Sequence, residues 1–267
     1  MNEKNFQFLR DQIKYSGFGE GLEDALKENL IRQSPGFALQ HQATFGRDQT
    51  TTSLQFNRSA TSDMYFLNSY MVSLKKDQDD QKMNQTFYVG KENNITLKEG
   101  YNLMSGRAVN KDLVNKEGKI YNAWLQLDFK QTDNNGNFKT KQYHQNYGFD
   151  LKQELAKHPI KELSTEQDRS RLIESLQKGN RQMVTFLDAA GERKGFIEAN
   201  PQFKNLTVYD QNMHVVGRRQ EQSVKQSIEQ QASPKKNSKE NNIGEPGDDK
   251  PSRSKRTKKS KDLSLTH

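Results

Sequence analysis

No aromatic residue follows Tyr209 in this chain of 267 residues. From Arg218 to His267, 13 Lys or Arg residues stand against 7 Asp or Glu residues, which gives this segment a net charge of +6. A segment with so few apolar groups cannot offset the conformational entropy that is lost on folding. The sequence therefore predicts two parts, a folded body over residues 1–217 and a disordered basic tail over residues 218–267.

The predicted body is close to electrically neutral. The chain has 42 basic and 34 acidic residues, so removal of the tail leaves 29 and 27, a net charge of +2. The sequence contains no run of about 18 apolar residues, which a transmembrane helix would need, and its first residues lack the pattern of a signal peptide. Because there is no cysteine, the chain cannot form disulfides or a thiolate metal site. We expect a cytoplasmic protein with no membrane partner.

Three glycines within residues 17–21 precede a segment of helical pattern, as they would in a phosphate-binding loop. Such a loop follows a β-strand, whereas Phe6, Leu9 and Ile13 recur at helical spacing. A second stripe of leucines begins at Leu22. The glycines are therefore predicted to form the turn of an N-terminal helix pair, where their freedom to adopt positive φ is needed.

Alternating apolar residues follow this helix pair. Strands are predicted around residues 53–57, 64–74 and 86–89. Thr96 with Glu99 three residues later is typical of a capping box at the start of a helix, and Asn134-Asn135-Gly136 is typical of a hairpin turn. Further helices are predicted over residues 151–163 and 165–178, with Pro159 breaking or starting one of them. Helices packed on antiparallel strands make this an α+β fold.

Part of this pattern occurs twice. Four positions recur 73 residues later: Leu103, Gly106, Leu113 and Gly118 match Leu176, Gly179, Phe186 and Gly191. In each copy a helix is expected to end at a glycine, which is followed by a strand, a glycine turn and a returning strand. Two related helix-plus-hairpin units are therefore predicted, near residues 95–150 and 165–216, with a chance coincidence of register as the alternative.

Several segments also resemble a known family. The strings GRAVNKDLVNKEGKIYNAWLQLDF, HQNYGFDL, SLQKGN and IEANPQFKNLTVYD resemble an uncharacterised family of Bacteroidetes proteins, a domain of unknown function often carried on conjugative or other mobile elements. The similarity covers about residues 3–217 and includes the N-terminal NFQFLRDQIKYSGFGEGL. It implies a genomic setting in which accessory proteins accompany DNA transfer and maintenance, and it implies no catalytic residues.

No catalytic or metal-binding constellation is evident. The five histidines are His41, His144, His158, His214 and His267, and no two of them have the spacing of a helical metal pair. His144, among tyrosines and amides with Asp150 nearby, is the best candidate for a general base. A solvated or hydrogen-bonded histidine is the simpler interpretation, because no partner motif accompanies it. We predict a non-enzymatic protein that holds neither a cofactor nor a metal.

Trp124 is the sole tryptophan and lies in a predicted strand with Tyr121. If Leu125 and Leu127 point into the core, Trp124 lies on the opposite face of the sheet. An exposed Trp124 with Tyr121 would suit an interaction surface. We favour a core position in which a helix covers this second face, because large aromatic residues usually contribute burial.

The tail contains a dense basic segment, and its cations are Lys250, Arg253, Lys255, Arg256, Lys258, Lys259 and Lys261. Such cations, interleaved with Ser and Thr, can neutralise phosphates without reading bases. We predict a body that binds a protein partner and a tail that binds nucleic acid non-specifically. Two alternatives remain open: a protein–protein adaptor whose tail only keeps it in solution, and an enzyme that acts on nucleic acid.

Overall fold

A computed structural model describes residues 1–77, 79, 81–189 and 191–216. Over these residues the chain is a mixture of helices and antiparallel strands, which confirms the predicted α+β class. The predicted disordered tail lies outside the described residues, so that part of the domain assignment stays a prediction. Among the helices that are described, none combines the length and apolar character needed to cross a membrane.

The described residues form five α-helices: α1 (Glu3–Ile13), α2 (Glu23–Arg32), α3 (Leu97–Met104), α4 (Leu151–Leu155) and α5 (Glu166–Gln177). They also form ten strands: β1 (Gly36–Phe45), β2 (Asp48–Arg58), β3 (Tyr65–Lys75), β4 (Lys82–Tyr88), β5 (Val109–Val114), β6 (Ile120–Thr132), β7 (Phe138–His144), β8 (Gln182–Asp188), β9 (Gly191–Asn200) and β10 (Asn205–Tyr209). The strands make three antiparallel sheets, in the orders β1-β2-β3-β4, β5-β6-β7 and β10-β9-β8.

The three early glycines lie in a turn between helices, as predicted. A single π-helical turn, Lys14–Phe18, continues α1, and Gly17 within it has φ +93°. Gly19 follows with φ +71°, and α2 begins at Glu23. The positive φ values explain why glycine is used here, and the helix in front of the glycines is incompatible with a phosphate-binding loop.

The two predicted repeat units contain the expected elements, and their helices end in the same way. In the first, the amides of Gly106 and Arg107 donate to the carbonyls of Leu103 and Asn102, at 2.9 and 3.0 Å. In the second, the amides of Gly179 and Asn180 donate to the carbonyls of Leu176 and Ser175, at 3.0 and 3.1 Å. Gly106 has φ +86° and Gly179 has φ +77°. Both helices thus end in a glycine cap of the Schellman type, which supports the predicted equivalence.

Two hydrophobic cores share the central strand β6. The N-terminal core lies between the helices α1–α3 and the sheet β1–β4, and the C-terminal core lies among α4, α5 and the sheet β8–β10. Ala123, Leu125 and Leu127 of β6 face the N-terminal core, whereas Trp124 faces the C-terminal core. Successive side chains of a strand point to opposite faces, so β6 contributes residues to both cores.

Two local features differ from the sequence prediction or extend it. The helical segment expected over residues 151–163 is broken in the region of Pro159, as predicted, because Pro159 lacks the amide that would continue α4; a 3₁₀ turn, Lys161–Leu163, follows. Strand β1 was not predicted at all. Its inward positions include Ala43 and His41, which weaken the apolar contrast that marks a strand.

Candidate interaction surface

The four-stranded sheet has one face packed on the N-terminal core and one face directed to solvent. Leu39, Leu54, Tyr70 and Phe87 are paired neighbours across the four strands and are all buried. The side chains that alternate with such residues point outward. These sixteen outward residues, the open face, are Ala38, Gln40, Gln42, Thr44, Gln49, Thr51, Ser53, Gln55, Ser69, Met71, Ser73, Lys75, Lys82, Asn84, Thr86 and Tyr88.

The open face carries almost no charge. None of its sixteen side chains is acidic, and its two cations, Lys75 and Lys82, are paired neighbours at one end of the sheet. Charged residues make up 28% of the chain, so an outward sheet face with so few of them is unusual for this composition. Interaction patches are depleted of charged residues relative to other protein surface, and the open face has this property.

Amides, hydroxyls and a few apolar side chains make up the rest of the open face. Gln40 and Gln55 each donate to the hydroxyl of Ser53, at 3.0 and 2.9 Å. Met71 is 43% exposed and Tyr88 is 65% exposed. The surface therefore combines groups that both donate and accept hydrogen bonds with exposed side chains that gain from burial.

One edge of this sheet is covered by the hairpin between β6 and β7. The amide of Thr86 in β4 donates to Oδ1 of Asn137, at 2.8 Å, and the amide of Phe138 donates to Oε1 of Gln85, at 2.9 Å. The first contact occupies the Thr86 amide at the edge, which would otherwise be open to pairing with another strand.

A second concave feature is a groove of about 870 Å³ between α4, α5 and the end of β8. Its larger apolar lining residues are Leu155, Pro159, Ile160, Leu163, Ile173 and Leu187. At its rim, Lys161 pairs with Glu192 at 2.6 Å and Arg169 pairs with Glu166 at 3.1 Å. Because the rim carries both cations and carboxylates, the groove favours neither anionic nor cationic ligands.

Two cations flank the ring of Tyr101 near the junction of the repeat units. The Lys98 ammonium lies 4.9 Å and the Arg107 guanidinium carbon 5.1 Å from the ring centre. Burial lowers the pKa of Arg107, and burial with a smaller effect of Arg107 lowers the pKa of Lys98. Burial also raises the pKa of Tyr101, with a further contribution from its hydrogen bond to Asp48 at 2.9 Å. Phe45 also stacks on Tyr101, with 4.3 Å between ring centres, so the cluster joins α3 to β1 and, through Asp48, to β2.

Trp124 is buried, as the favoured interpretation expected, and the possible interaction surface with Tyr121 is corrected. Only 6% of Trp124 is exposed, and its ring meets Phe149 edge-to-face with 5.3 Å between centres. The second face of β6 is covered, here by the C-terminal core. Tyr121 lies on the other face of β6, is half-buried against the N-terminal core and donates its hydroxyl to Gln142 at 3.1 Å.

The basic residues predicted to bind nucleic acid lie outside the described residues. This applies to Lys250, Arg253, Lys255, Arg256, Lys258, Lys259 and Lys261. The structure consequently neither brings them together nor separates them, and their role stays a prediction.

The histidines show no arrangement for catalysis within the described part of the chain. His144, the best candidate from the sequence, is exposed at the end of β7, with its ring 5.3 Å from that of Tyr121. His41 points toward the N-terminal core, where Nδ1 has no hydrogen-bond partner and desolvation lowers its pKa. Over residues 1–77, 79, 81–189 and 191–216, no three His, Asp or Glu side chains form a group that could hold a metal ion.

Comparisons of the chain with protein-family models, with curated proteins and with solved structures found no match. The open face therefore has to be interpreted from its own chemistry. Sequence reasoning missed this surface, although the alternation of Gln, Thr and Ser in β1 and β2 was visible in the sequence. The sequence did not reveal how the strands are aligned with one another, which decides whether their polar residues lie side by side. A bulge between Gln55 and Phe56 shifts the pairing of β2 with β3.

Proposed function

We propose that this chain is a non-enzymatic, two-part binding protein. Its folded body binds a protein partner through the open face, and its basic tail binds nucleic acid without reading sequence. The family resemblance supports a setting on a mobile genetic element, where such a protein would accompany DNA transfer or maintenance in the cytoplasm.

The separation of charge along the chain carries this proposal. The body has a net charge of +2 and the tail +6, and between Lys250 and Lys261 there are seven cations and no acidic residue. Electrostatic attraction to phosphates scales with the number of cations that can reach them. The tail, rather than the body, therefore has the composition required for binding to nucleic acid.

The open face supports the role of the body. A charged side chain that enters an interface must lose its hydration, and this desolvation opposes association. Apart from Lys75 and Lys82, the open face presents no charge that would have to be desolvated. Exposed Met71 and Tyr88 add apolar surface that favours burial. This is the chemistry of a protein-binding surface rather than of a phosphate-binding one.

Truncation of the tail tests whether nucleic acid is bound by the tail rather than by the body. Residues 1–217 retain every residue of both cores, so this fragment is a fair comparison with the full chain. We expect the full chain to bind labelled duplex and single-stranded DNA of several unrelated sequences with similar affinity. We expect the fragment to lose most of this binding at moderate salt.

Two results of this titration would contradict the nucleic-acid part of the proposal. If the full chain fails to bind DNA or RNA even at low salt, the adaptor alternative takes its place, with a tail that only keeps the protein in solution. If the fragment binds as tightly as the full chain, nucleic acid is bound by the body. Circular dichroism of the fragment is the control that its fold is intact.

A further inference from the structure

We infer that the open face binds the open face of a second copy of this chain. This inference rests on the proposed function, because it names the protein partner of the surface described there. Three properties of the surface support it: its hydrogen-bonding groups, the difference between its two ends, and its size.

The hydrogen-bonding chemistry of the open face is self-complementary. A two-fold dimer places one patch against itself, so each group must find its partner among groups of the same kind. A patch rich in one charge would repel its own copy, whereas amides and hydroxyls both donate and accept. Pairs of this type already form within one chain, where Gln40 and Gln55 donate to Ser53. With each strand over its own copy and the strand direction reversed, Gln40 faces Gln42 and Ser53 faces Thr51 of the other copy, so amides meet amides and hydroxyls meet hydroxyls.

The two ends of the open face complement each other. Lys75 is paired with Lys82 at one end, and Ser69 is paired with Tyr88 at the other. Consider a two-fold axis that lies in the plane between the two faces and is perpendicular to the strands. Rotation about this axis makes the strands of the second copy run antiparallel to those of the first. Strand β4 then lies over β4, and Lys82 of each copy faces Tyr88 of the other. An ammonium group over a tyrosine ring is attractive, and this axis also keeps the lysines of the two copies apart.

The size of the open face predicts a weak dimer. Four strands about 4.8 Å apart, each with four outward residues spaced by about 6.8 Å, give a face of roughly 19 by 27 Å. Two such faces bury roughly 1,000 Å² in total, which is near the lower limit of specific interfaces. We therefore expect a dissociation constant on the order of 10 μM.

Pairing of this kind would also affect the tail. The described chain ends at Val216, which packs on the C-terminal core, so the dimer does not use the segment from which the tail continues. Each dimer would then present two basic tails to one nucleic acid. Two linked tails bind more tightly than one, because the second contact becomes intramolecular.

Sedimentation velocity of the full chain tests the inference over a range of protein concentrations. The wild type should pass from monomer to dimer near 10 μM, on the order of the value expected from the buried area. Thr51→Arg introduces two cations near the axis and should raise the dissociation constant by at least about tenfold. Tyr88→Ala removes the ring that faces Lys82 and should raise it by about three- to tenfold.

Thr140→Arg is the matched control. Thr140 is an exposed strand residue in β7, outside the open face, so the same substitution there should leave the dissociation constant within about twofold of the wild type. Circular dichroism establishes that each variant keeps its fold. If Thr51→Arg does not fold, Tyr88→Ala alone provides the test.

Two results would overturn the inference. The first is a wild type that stays monomeric up to about 300 μM, well above the range expected for an interface of this size. The second is a dimer that Thr51→Arg and Tyr88→Ala leave unchanged, because that dimer would use another surface. Neither result bears on nucleic-acid binding by the tail, which the truncation experiment tests separately.

Discussion

The side-chain amide of Asn102 donates a hydrogen bond to the backbone carbonyl of Lys178, with 2.6 Å between nitrogen and oxygen. The same amide lies 3.0 Å from Oδ1 of Asn180, and Arg107 donates to the carbonyl of Gly179 at 2.9 Å. These contacts hold together the C-terminal ends of α3 and α5, the two helices that occupy equivalent places in the repeat units. Carbonyls just after the end of α5 are thus satisfied by the side chains of Asn102 in α3 and of Arg107, which follows α3.

Replacement of Asn102 by Ala should destabilise the body strongly. The substitution removes the donor to Lys178 and the acceptor that receives the Arg107 guanidinium at 2.6 Å. Buried polar groups left without partners reduce the free energy of unfolding by about 2–3 kcal/mol. Urea unfolding followed by circular dichroism measures the loss.

Asn122→Ala is the control for this prediction. Asn122 exchanges side-chain hydrogen bonds with Asn110 and Asp112 on a more exposed part of the sheet. There water can replace the lost partner, so we expect a loss below about 1 kcal/mol. A loss for Asn102→Ala as small as the one expected for Asn122→Ala would mean that the contacts between the repeat units contribute little.

Gly179→Ala should destabilise the protein more than Gly118→Ala does. Both glycines have nearly the same φ, +77° and +78°, so both alanines carry a conformational penalty of about 1 kcal/mol. A Cβ at position 179 would lie 2.8 Å from the carbonyl oxygen of Ala108, whereas position 118 has no atom within 4 Å. The added steric clash should cost about 1–3 kcal/mol more.

Thermal unfolding of the two glycine variants gives the comparison directly. The difference between them isolates the close approach of α5 to the start of β5, because the backbone conformation is shared. If Gly118→Ala lowers the melting temperature as much as Gly179→Ala does, the close packing at Gly179 does not contribute to the stability of the protein.

The stability of the protein should fall between about pH 7 and pH 5 because of His41. Desolvation holds its pKa in the folded state below the ordinary value of 6.5. Above the unfolded pKa both states are neutral and the stability is complete; below it the unfolded state binds a proton that the folded state does not, so stability is lost as the pH falls.

His41→Phe should remove part of this pH dependence, while His144→Phe should not. Phe can fill the inward position beside Phe18, whose ring lies 5.4 Å from that of His41, whereas His144 is exposed. Melting temperatures of the three proteins at pH 7, 6 and 5 are compared. The same slope in all three would show that another group causes the acid sensitivity.

Trp124 should emit as a buried tryptophan and should contribute heavily to stability. Its 6% exposure predicts blue-shifted fluorescence that is protected from iodide. Removal of a buried aromatic ring by Trp124→Ala should cost about 3–5 kcal/mol. Ile120→Ala, at a residue of the same strand that is 68% exposed, should cost less than about 0.5 kcal/mol. Strong iodide quenching of Trp124 would contradict the core position.

Features that depend on neighbouring residues could be predicted from the sequence. Thr96 and Glu99 form the expected capping box, and Gly136 adopts positive φ in the expected hairpin turn. In each case one or two local hydrogen bonds, or one backbone conformation, decide the structure. The order of elements in the repeat units follows from the same kind of local signal.

Features that depend on register and on distant contacts could not be predicted. Trp124 was assigned to the correct face of β6, but what covers that face depends on helices and strands far along the chain. The contact between Asn102 and Lys178 joins residues 76 positions apart. The neutral character of the open face emerges only when the four strands are placed in register.

The salt dependence of DNA binding is the most direct test of the two-part function. The logarithm of the binding constant of the full chain should fall with the logarithm of salt concentration at a slope near −5, for about six phosphates neutralised. Replacing Lys255, Arg256, Lys258 and Lys259 by Ala should reduce the magnitude of this slope by about 3 to 4.

The matched control replaces four exposed lysines of the body, Lys4, Lys27, Lys116 and Lys119, by Ala. The net charge changes by the same amount in both variants. If the slope of the logarithm of the binding constant against that of salt concentration stays at about −5 in the control, the phosphate contacts lie in the tail. A tail variant that keeps the wild-type slope, or a control variant that loses it, would contradict the assignment of nucleic-acid binding to the tail.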